Sequence, residues 1–270
     1  MRSAPGRCSR SADASGATNG KTDAVAATVL QLSDTHLTAE VGGPLYGIDP
    51  DARLQAVVDA WLEHGQHVDL VLLTGDNAEA GSEPAYRRLA EKLAPLNAPT
   101  LAIAGNHDDP GELATVFGTA SVIEVGGWRV IGVDSARPLQ VHGTVDVGAL
   151  TELLDGLDSR PTLIGIHHPP KSPSTHADFQ LIGAADLLLV LADRPHVRAV
   201  VSGHVHHPFE ILEPCGLQLL GAPSTYVPID HDGDTYTVPG SCPMGARILH
   251  LGDDGSLSSQ LFAAEGPMSP

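Results

Sequence analysis

Five short clusters of oxygen and nitrogen ligands recur along the chain: Asp34-Thr35-His36, Gly75-Asp76-Asn77, Gly105-Asn106-His107-Asp108, His167-His168-Pro169-Pro170 and Gly203-His204-Val205-His206. Carboxylate and neutral imidazole together suit manganese, iron, zinc or nickel. An all-oxygen set would suit magnesium or calcium, and a thiolate set structural zinc. Asp34, His36, Asp76, Asn106, His167, His204 and His206 are more groups than one ion needs. Two ions roughly 3.5 to 4 Å apart, sharing one carboxylate, use that number and clamp both oxygens of an in-line displacement at phosphorus. The chemistry implied is hydrolysis of a phosphoester.

Strands must bring these clusters together, because each begins where an apolar run ends. Residues 28–32 precede Asp34, 70–73 precede Asp76, 100–104 precede Asn106, 162–166 precede His167 and 197–201 precede His204. Short Leu-rich or β-branched runs of this kind read as buried strands, and helix-length spacers between them imply a layered α/β domain. Residues 51–63, after Pro50, place Leu54, Val57, Val58, Trp61 and Leu62 at helical spacing; 83–93 and 181–191 read as further helices. Hairpins are expected for 121–125 with 128–133, for 209–213 with 217–220, and for 247–251 with 256–262. Loops 38–49, 137–147, 169–178 and 223–240 are rich in Gly, Pro and polar residues and border the clusters, so they are expected to set the substrate.

In order and approximate spacing, the five clusters resemble the calcineurin-like metallophosphoesterase superfamily, over about residues 28–250. Ser33-Asp34-Thr35-His36-Leu37, Gly105-Asn106-His107-Asp108, Asp134-Ser135, His167-His168-Pro169-Pro170 and Ala222-Pro223-Ser224-Thr225 are similar to the bacterial class III 3′,5′-cyclic nucleotide phosphodiesterases. The resemblance implies a four-layer αββα sandwich of two mixed β-sheets flanked by helices. It implies that Asp34, His36 and His206 hold one metal, that Asp76 bridges, and that Asn106, His167 and His204 hold the other. Either histidine of His167-His168 could face the metal; in this family the ligand lies two residues before the proline, which selects His167. His168 is then left to contact substrate or to support a ligand.

With two divalent ions and two ionised aspartates the site carries about +2, or about +1 with a bridging hydroxide, which attracts a phosphodiester anion. The same resemblance makes that hydroxide the nucleophile and makes His107 the general acid for the leaving alkoxide, with Asp108 orienting its imidazole. Asp76 and Asn106 join His107 as the catalytic residues. Asn106, His107, His168 and His206 are the expected substrate contacts. The implied cofactors are two divalent transition-metal ions, manganese or iron first, zinc or cobalt next. The implied substrate is a small cyclic nucleotide, cAMP and also cGMP, with Tyr46 and Tyr226 as the loop aromatics placed to stack on a base. Asn77-Ala78-Glu79 follows Asp76 with no tyrosine to form a ferric tyrosinate centre. Other phosphoesterases on the same core, acting on 2′,3′-cyclic nucleotides, glycerophosphodiesters or phosphomonoesters, remain alternatives. An inactive scaffold is a further one.

Composition fits one enzyme-sized domain. The chain has 270 residues with 15 Lys plus Arg against 33 Asp plus Glu, a net charge of −18 that argues against a nucleic-acid groove. No apolar run is long enough to span a membrane. Cys8, Cys215 and Cys242 are odd in number and widely spaced, which points to reduced thiols and a cytoplasmic protein. Residues 1–26 are rich in Ser, Gly and Ala and read as a disordered tail, 27–262 as the metallophosphoesterase domain and 263–270 as a second tail. A homodimer is compatible with this sequence.

Overall fold

The computed structural model describes residues 24–138, 140–238 and 244–264. In chain order its elements are β1 (Val25–Leu32), α1 (Pro50–His64), β2 (Leu70–Thr74), α2 (Glu83–Leu93), β3 (Thr100–Ile103), α3 (Pro110–Phe117), β4 (Val122–Val125), β5 (Trp128–Val133), β6 (Gly143–Thr144) and α4 (Val147–Asp155). There follow β7 (Thr162–Ile166), β8 (Leu181–Ile182), α5 (Ala184–Ala192), β9 (Val197–Ser202), β10 (Phe209–Leu212), β11 (Gln218–Gly221), β12 (Asp230–Asp232), β13 (Thr235–Thr237), β14 (Met244–Gly252) and β15 (Leu257–Ala264). β1 takes in Val25 and Ala26, and β15 takes in Ala263 and Ala264, so the first sheet reaches past the sequence boundaries of 27 and 262. Residues 1–23 and 265–270 of the expected tails, as well as Cys8 and Cys242, lie outside the described residues; Cys215 is a free, exposed thiol.

Two mixed sheets form the centre. The first runs β15-β14-β1-β2-β3 and the second β10-β11-β9-β7-β5-β4. The pairings are parallel from β1 through β2 to β3 and from β5 through β7 and β9 to β11; antiparallel strands take both edges of the second sheet and one edge of the first, whose other edge is the parallel β3. Every residue of β2 and of β7 is buried, as parallel strands covered on both faces must be. Three apolar cores separate four layers. One lies under α1 and α2 and includes Leu54, Trp61, Tyr86 and Leu89. A second lies between the sheets, with Val29, Leu72, Ile103, Val130, Leu163 and Leu249. The third lies under α4 and α5, with Leu150, Leu154, Leu187 and Leu191. The fold is the αββα sandwich, and among the described residues no helix is long and apolar enough to cross a membrane.

Local signals explain most elements. α1 starts on Pro50, is capped by Asp49 accepting from the Ala52 amide at 3.2 Å, and stops at left-handed Gly65. Two short helices go beyond the sequence expectation: α3, whose Asp109 cap accepts from Gly111 and Glu112, and α4, capped by Asp146. Eight or nine residues with one or two buried leucines give too little periodicity to read. The helix expected over 181–191 begins only at Ala184, because Gly183 turns left-handed at φ 89° and frees Leu181 and Ile182 to pair with β6. Within the expected loop 223–240, residues 230–237 form the β12–β13 hairpin.

One buried cation on β14 ties the sheets together. Arg247 is fully buried; its Nε and Nη2 donate to the Gly221 carbonyl at 3.1 and 2.9 Å, Nη2 to the Phe209 carbonyl at 3.1 Å, and Nη1 to Glu210 and Ser259. Arg247→Met is expected to cost on the order of 3 kcal/mol, because buried carbonyls lose their charged donor. Lysine should recover only part, since one ammonium cannot reproduce the fork. Urea denaturation at fixed metal concentration measures it; a change within about 0.5 kcal/mol would show that the arginine is dispensable.

Candidate dinuclear metal centre

The strand ends supply the ligands through strained backbone. Asp34, His36, Asp76, His204 and His206 all lie in the left-handed region, with φ between 48° and 69°. Among the described residues only Tyr46 and Asn97 are other non-glycine cases. Such residues cost about 1 to 3 kcal/mol each and persist only where surrounding contacts fix them. Here backbone hydrogen bonds extend the sheets past the strands: Asp34 N–H to Gly75 at 3.0 Å, His36 N–H to Asp76 at 2.9 Å, and Gly203 N–H to His167 at 3.1 Å. Glycine is required at 105 and 203, because a Cβ would strike the Asp76 carboxylate in the first case and the Ser33 hydroxyl in the second.

The side chains converge from both sheets. Asp34, His36, Asp76 and His206 each offer a ligand atom within 4.8 Å of the others, and so do His167, His168 and His204. Asp76 Oδ2 stands between the two groups, 3.7 Å from His36 Nε2 and 3.3 Å from His167 Nε2. His167 Nε2 is also 3.1 Å from Asn106 Oδ1, and His206 Nε2 is 3.5 Å from Asp34 Oδ1.

Hydrogen bonding on the far side of each ring fixes what these atoms are. His36 Nδ1 faces Glu79 Oε2 at 2.7 Å, His167 Nδ1 the Thr74 carbonyl at 2.7 Å, His204 Nε2 the Asp178 carbonyl at 2.9 Å, and His206 Nδ1 the Val227 carbonyl at 2.8 Å. Those partners accept, so the ring nitrogens facing them carry hydrogens, and the remaining nitrogen of each neutral ring is a lone pair. His36 Nε2 and His206 Nε2 therefore face one another at 3.1 Å with two lone pairs. His167 Nε2 likewise meets two oxygen acceptors. Acceptors packed this closely need a positive charge among them, so the residues present fit metal cations.

Titration agrees. Burial pushes His206 down to about 4 and His204 well below its ordinary value, keeping both neutral. Burial also opposes the charged forms of His167 and Asp76, but their mutual attraction prevails, raising His167 to about 9 and holding Asp76 well below the carboxylate range.

Three supporting residues differ from the sequence expectation. Asp108 does not orient His107. Its carboxylate accepts from the amides of Gly105, Asn77 and Ala78, the Asn77 side chain and the Tyr86 hydroxyl, all at 2.8 to 3.1 Å, and so locks the Asp76 and Asn106 loops together. Glu79 takes the place assigned to Asp108: one oxygen lies 2.7 Å from His36 Nδ1 and 3.4 Å from His107 Nδ1. Burial works against its charge, yet the two histidines lower Glu79 to about 2; Glu79 in turn, against burial, lifts His107 to about 9. His168 is not placed to contact substrate, because it is fully buried with Nδ1 2.8 Å from Ser135 Oγ and Nε2 2.9 Å from the Val141 carbonyl. No pattern marks Glu79 in the sequence, and Asp134-Ser135 enters there only through the resemblance; the role of each is identified by the ring it touches.

The ligand atoms open into a cavity of about 400 Å³. Its floor is His36, Asp76, Asn106, His107, His204 and His206, and its walls are Leu45, Tyr46, Glu79, Val141, Asp178, Phe179, Tyr226, Val227, Ile229, Tyr236 and Val238. Among the described residues no lysine or arginine lines it. Tyr226 is 2% exposed, with its hydroxyl bonded to the Leu45 carbonyl, so it cannot stack on a ligand as expected; Tyr46 is 91% exposed at the rim. A second cavity of about 330 Å³ shares Asn106 and His107 and carries Arg137.

Residues 27–208 match the family described as calcineurin-like phosphoesterase. The chain is 36% identical over 253 residues to the 3′,5′-cyclic adenosine monophosphate phosphodiesterase CpdA of Pseudomonas aeruginosa, an alignment that covers 89% of this chain and 92% of that protein. It is 35% identical over 251 residues to a probable cyclic nucleotide phosphodiesterase of Synechococcus, covering 88% and 93%. In fold it is similar to a dimetal phosphatase from Danio rerio, with a TM-score of 0.63 at 14% identity over 90% of this chain and 100% of the other.

Because His167 sits near 9 without an ion, at neutral pH it holds a proton that an incoming cation must displace. Ion uptake at pH 7 should release about one proton from this ring, and apparent affinity should climb roughly tenfold from pH 7 to 8, levelling above pH 9. Calorimetry in buffers of different ionisation enthalpy measures the release; uptake with no proton released would contradict this charge state.

Proposed function

This chain belongs to the calcineurin-like phosphoesterase family, and from that premise we propose that it hydrolyses 3′,5′-cyclic nucleotides, cAMP and also cGMP, to 5′-nucleotides. The observation that carries the reading is one cavity with two kinds of surface. A floor of convergent acceptors calls for cations, and the described walls are apolar and aromatic apart from Glu79 and Asp178, with no lysine or arginine. Such a cavity suits a monoanionic diester bearing an aromatic group. A phosphomonoester dianion would find no such side chain on those walls for its second charge, which ranks that alternative lower. The names of the relatives support the same choice.

In this reading Asp34, His36 and His206 would hold one ion, Asn106, His167 and His204 the other, and Asp76 would serve both, with manganese or iron as the ions of first choice. When bound, the ions supply Lewis acidity and an activated water. The protein's own part is positioning and proton transfer. Asn106 and His206 border the phosphate place. The His107 amide fixes Asp76 by donating to Oδ1 at 2.9 Å, and its Nδ1 is held against Glu79. That leaves His107 Nε2 to deliver a proton to the departing 3′ oxygen. In the ion-free protein His107 sits near 9, so the acid form prevails at neutral pH; bound cations act in the opposite direction.

Three measurements test this. Manganese-loaded protein should convert cAMP to 5′-AMP and leave glycerophosphodiesters and phosphomonoesters comparatively untouched; the reverse preference would overturn the substrate reading. His107→Ala should keep its metals and lose roughly 10² to 10⁴ in rate with an alkoxide leaving group, but far less with nitrophenolate, which departs without a proton. Equal losses would make His107 a phosphate-positioning group instead. Glu79→Gln removes the main cause lifting His107, and a general acid works only below its pKa. The alkaline limb of the pH-rate profile on cAMP should therefore move to lower pH, and an unmoved limb would refute the pairing.

A further inference from the structure

The β12–β13 hairpin stands apart from both main sheets, yet it is anchored directly onto the ligand loop. His231 Nε2 donates to the Val205 carbonyl at 2.7 Å, and Val205 lies between His204 and His206. On the other side, the Thr175 amide donates to Gly233 in the hairpin turn at 2.9 Å. His231 and Tyr236 are cross-strand partners in register, so their side chains share one face of the hairpin. Phe179 packs between that face and the ligand set. Its ring centre is 4.7 Å from His231, 5.3 Å from Tyr236 and 5.2 Å from His204, nearly perpendicular to the first two. His176 meets Tyr236 at 5.4 Å, again edge to face.

Phe179 is nearly buried, whereas Tyr236 keeps 46% of its surface exposed and lines the cavity that contains the ligand floor. A ring held by two perpendicular neighbours but open to the cavity loses little freedom when another ring packs on it. The polar groups needed to read a base edge are scarce on these walls. Among the described residues they are Asp178, Glu79 and the tyrosine hydroxyls, with no asparagine, glutamine, serine or threonine beyond Asn106 on the floor.

We propose that Tyr236, backed by Phe179, is the nucleobase platform of this site, recognising the base by its aromatic face rather than by its edge. This rests on the reading of the substrate as a cyclic nucleotide. Adenine and guanine then bind alike, and pyrimidines, with less ring area, bind more weakly. Specificity resides in a hairpin that contributes nothing to the metal ligands.

The test uses metal-loaded full-length protein with bis(4-nitrophenyl) phosphate as reporter substrate. Competitive inhibition constants are measured for cAMP and for ribose 3′,5′-cyclic phosphate, which lacks the base. Tyr236→Ala should weaken cAMP roughly tenfold, the scale of one base–aromatic stack, and leave the abasic competitor unchanged. Tyr236→Phe should retain the wild-type constants. Unchanged cAMP inhibition in Tyr236→Ala, or equal weakening of both competitors, would overturn the platform. Because inhibition reads binding, cAMP that competes strongly through Tyr236 without being hydrolysed would sustain the platform while defeating the proposed reaction.

Discussion

The structure depends on holding acceptors where acceptors repel. Four histidines each commit one nitrogen to Glu79 or to a backbone carbonyl, which turns the opposite nitrogen toward the other acceptors of the site, as a lone pair in a neutral ring and, in His167, with a proton that an ion must displace. Nothing local favours that arrangement, and three of these histidines, with Asp34 and Asp76, also stand in a backbone conformation that costs free energy. The two-sheet architecture supplies the compensation. Buried parallel strands fix the loop origins, bonds such as Asp34 N–H to Gly75 carry the sheet beyond its strands, and Asp108 clamps two ligand loops with five accepted hydrogen bonds. Cations relieve the repulsion that the fold has stored.

The ligand atoms are legible in the sequence because strand ends are legible. Runs such as 70–73 stop at Gly75-Asp76, and histidine and aspartate recurring just past successive strands mark a shared point of convergence. What supports them is not legible. Glu79 matters through contact with His36 and His107, and an acidic residue three positions past a ligand is commonplace in a chain with 33 acidic residues. Asp108 neighbours His107 in sequence yet turns away from it, toward amides and Tyr86, a choice made by loop geometry. Tyr226 and Tyr236 both come from the expected loop 223–240 and both border the cavity; only packing shows that the first is buried with its hydroxyl bonded to the Leu45 carbonyl while the second keeps nearly half its surface open.

Charge follows the same division between ions and protein. The chain carries −18, and the described cavity walls add Asp178 and Glu79 but no lysine or arginine. Attraction for an anion therefore has to come from the bound ions over a short range, and it vanishes when they are absent. Arg137, in the adjoining cavity, leans 3.7 Å from Asp134 and is partly neutralised.

The ligands come from both sheets, and that has a consequence for the chain as a whole. His36 and His206 meet although 170 residues separate them, and Asp76 is shared with the half of the site that β7 and β9 supply. An ion held by both would be a reversible cross-link that closes a very long loop, coupling ion uptake to the fold. Metal content and tertiary order thus form a single equilibrium. Removing the ions would therefore cost the native state their binding free energy as well as the chemistry.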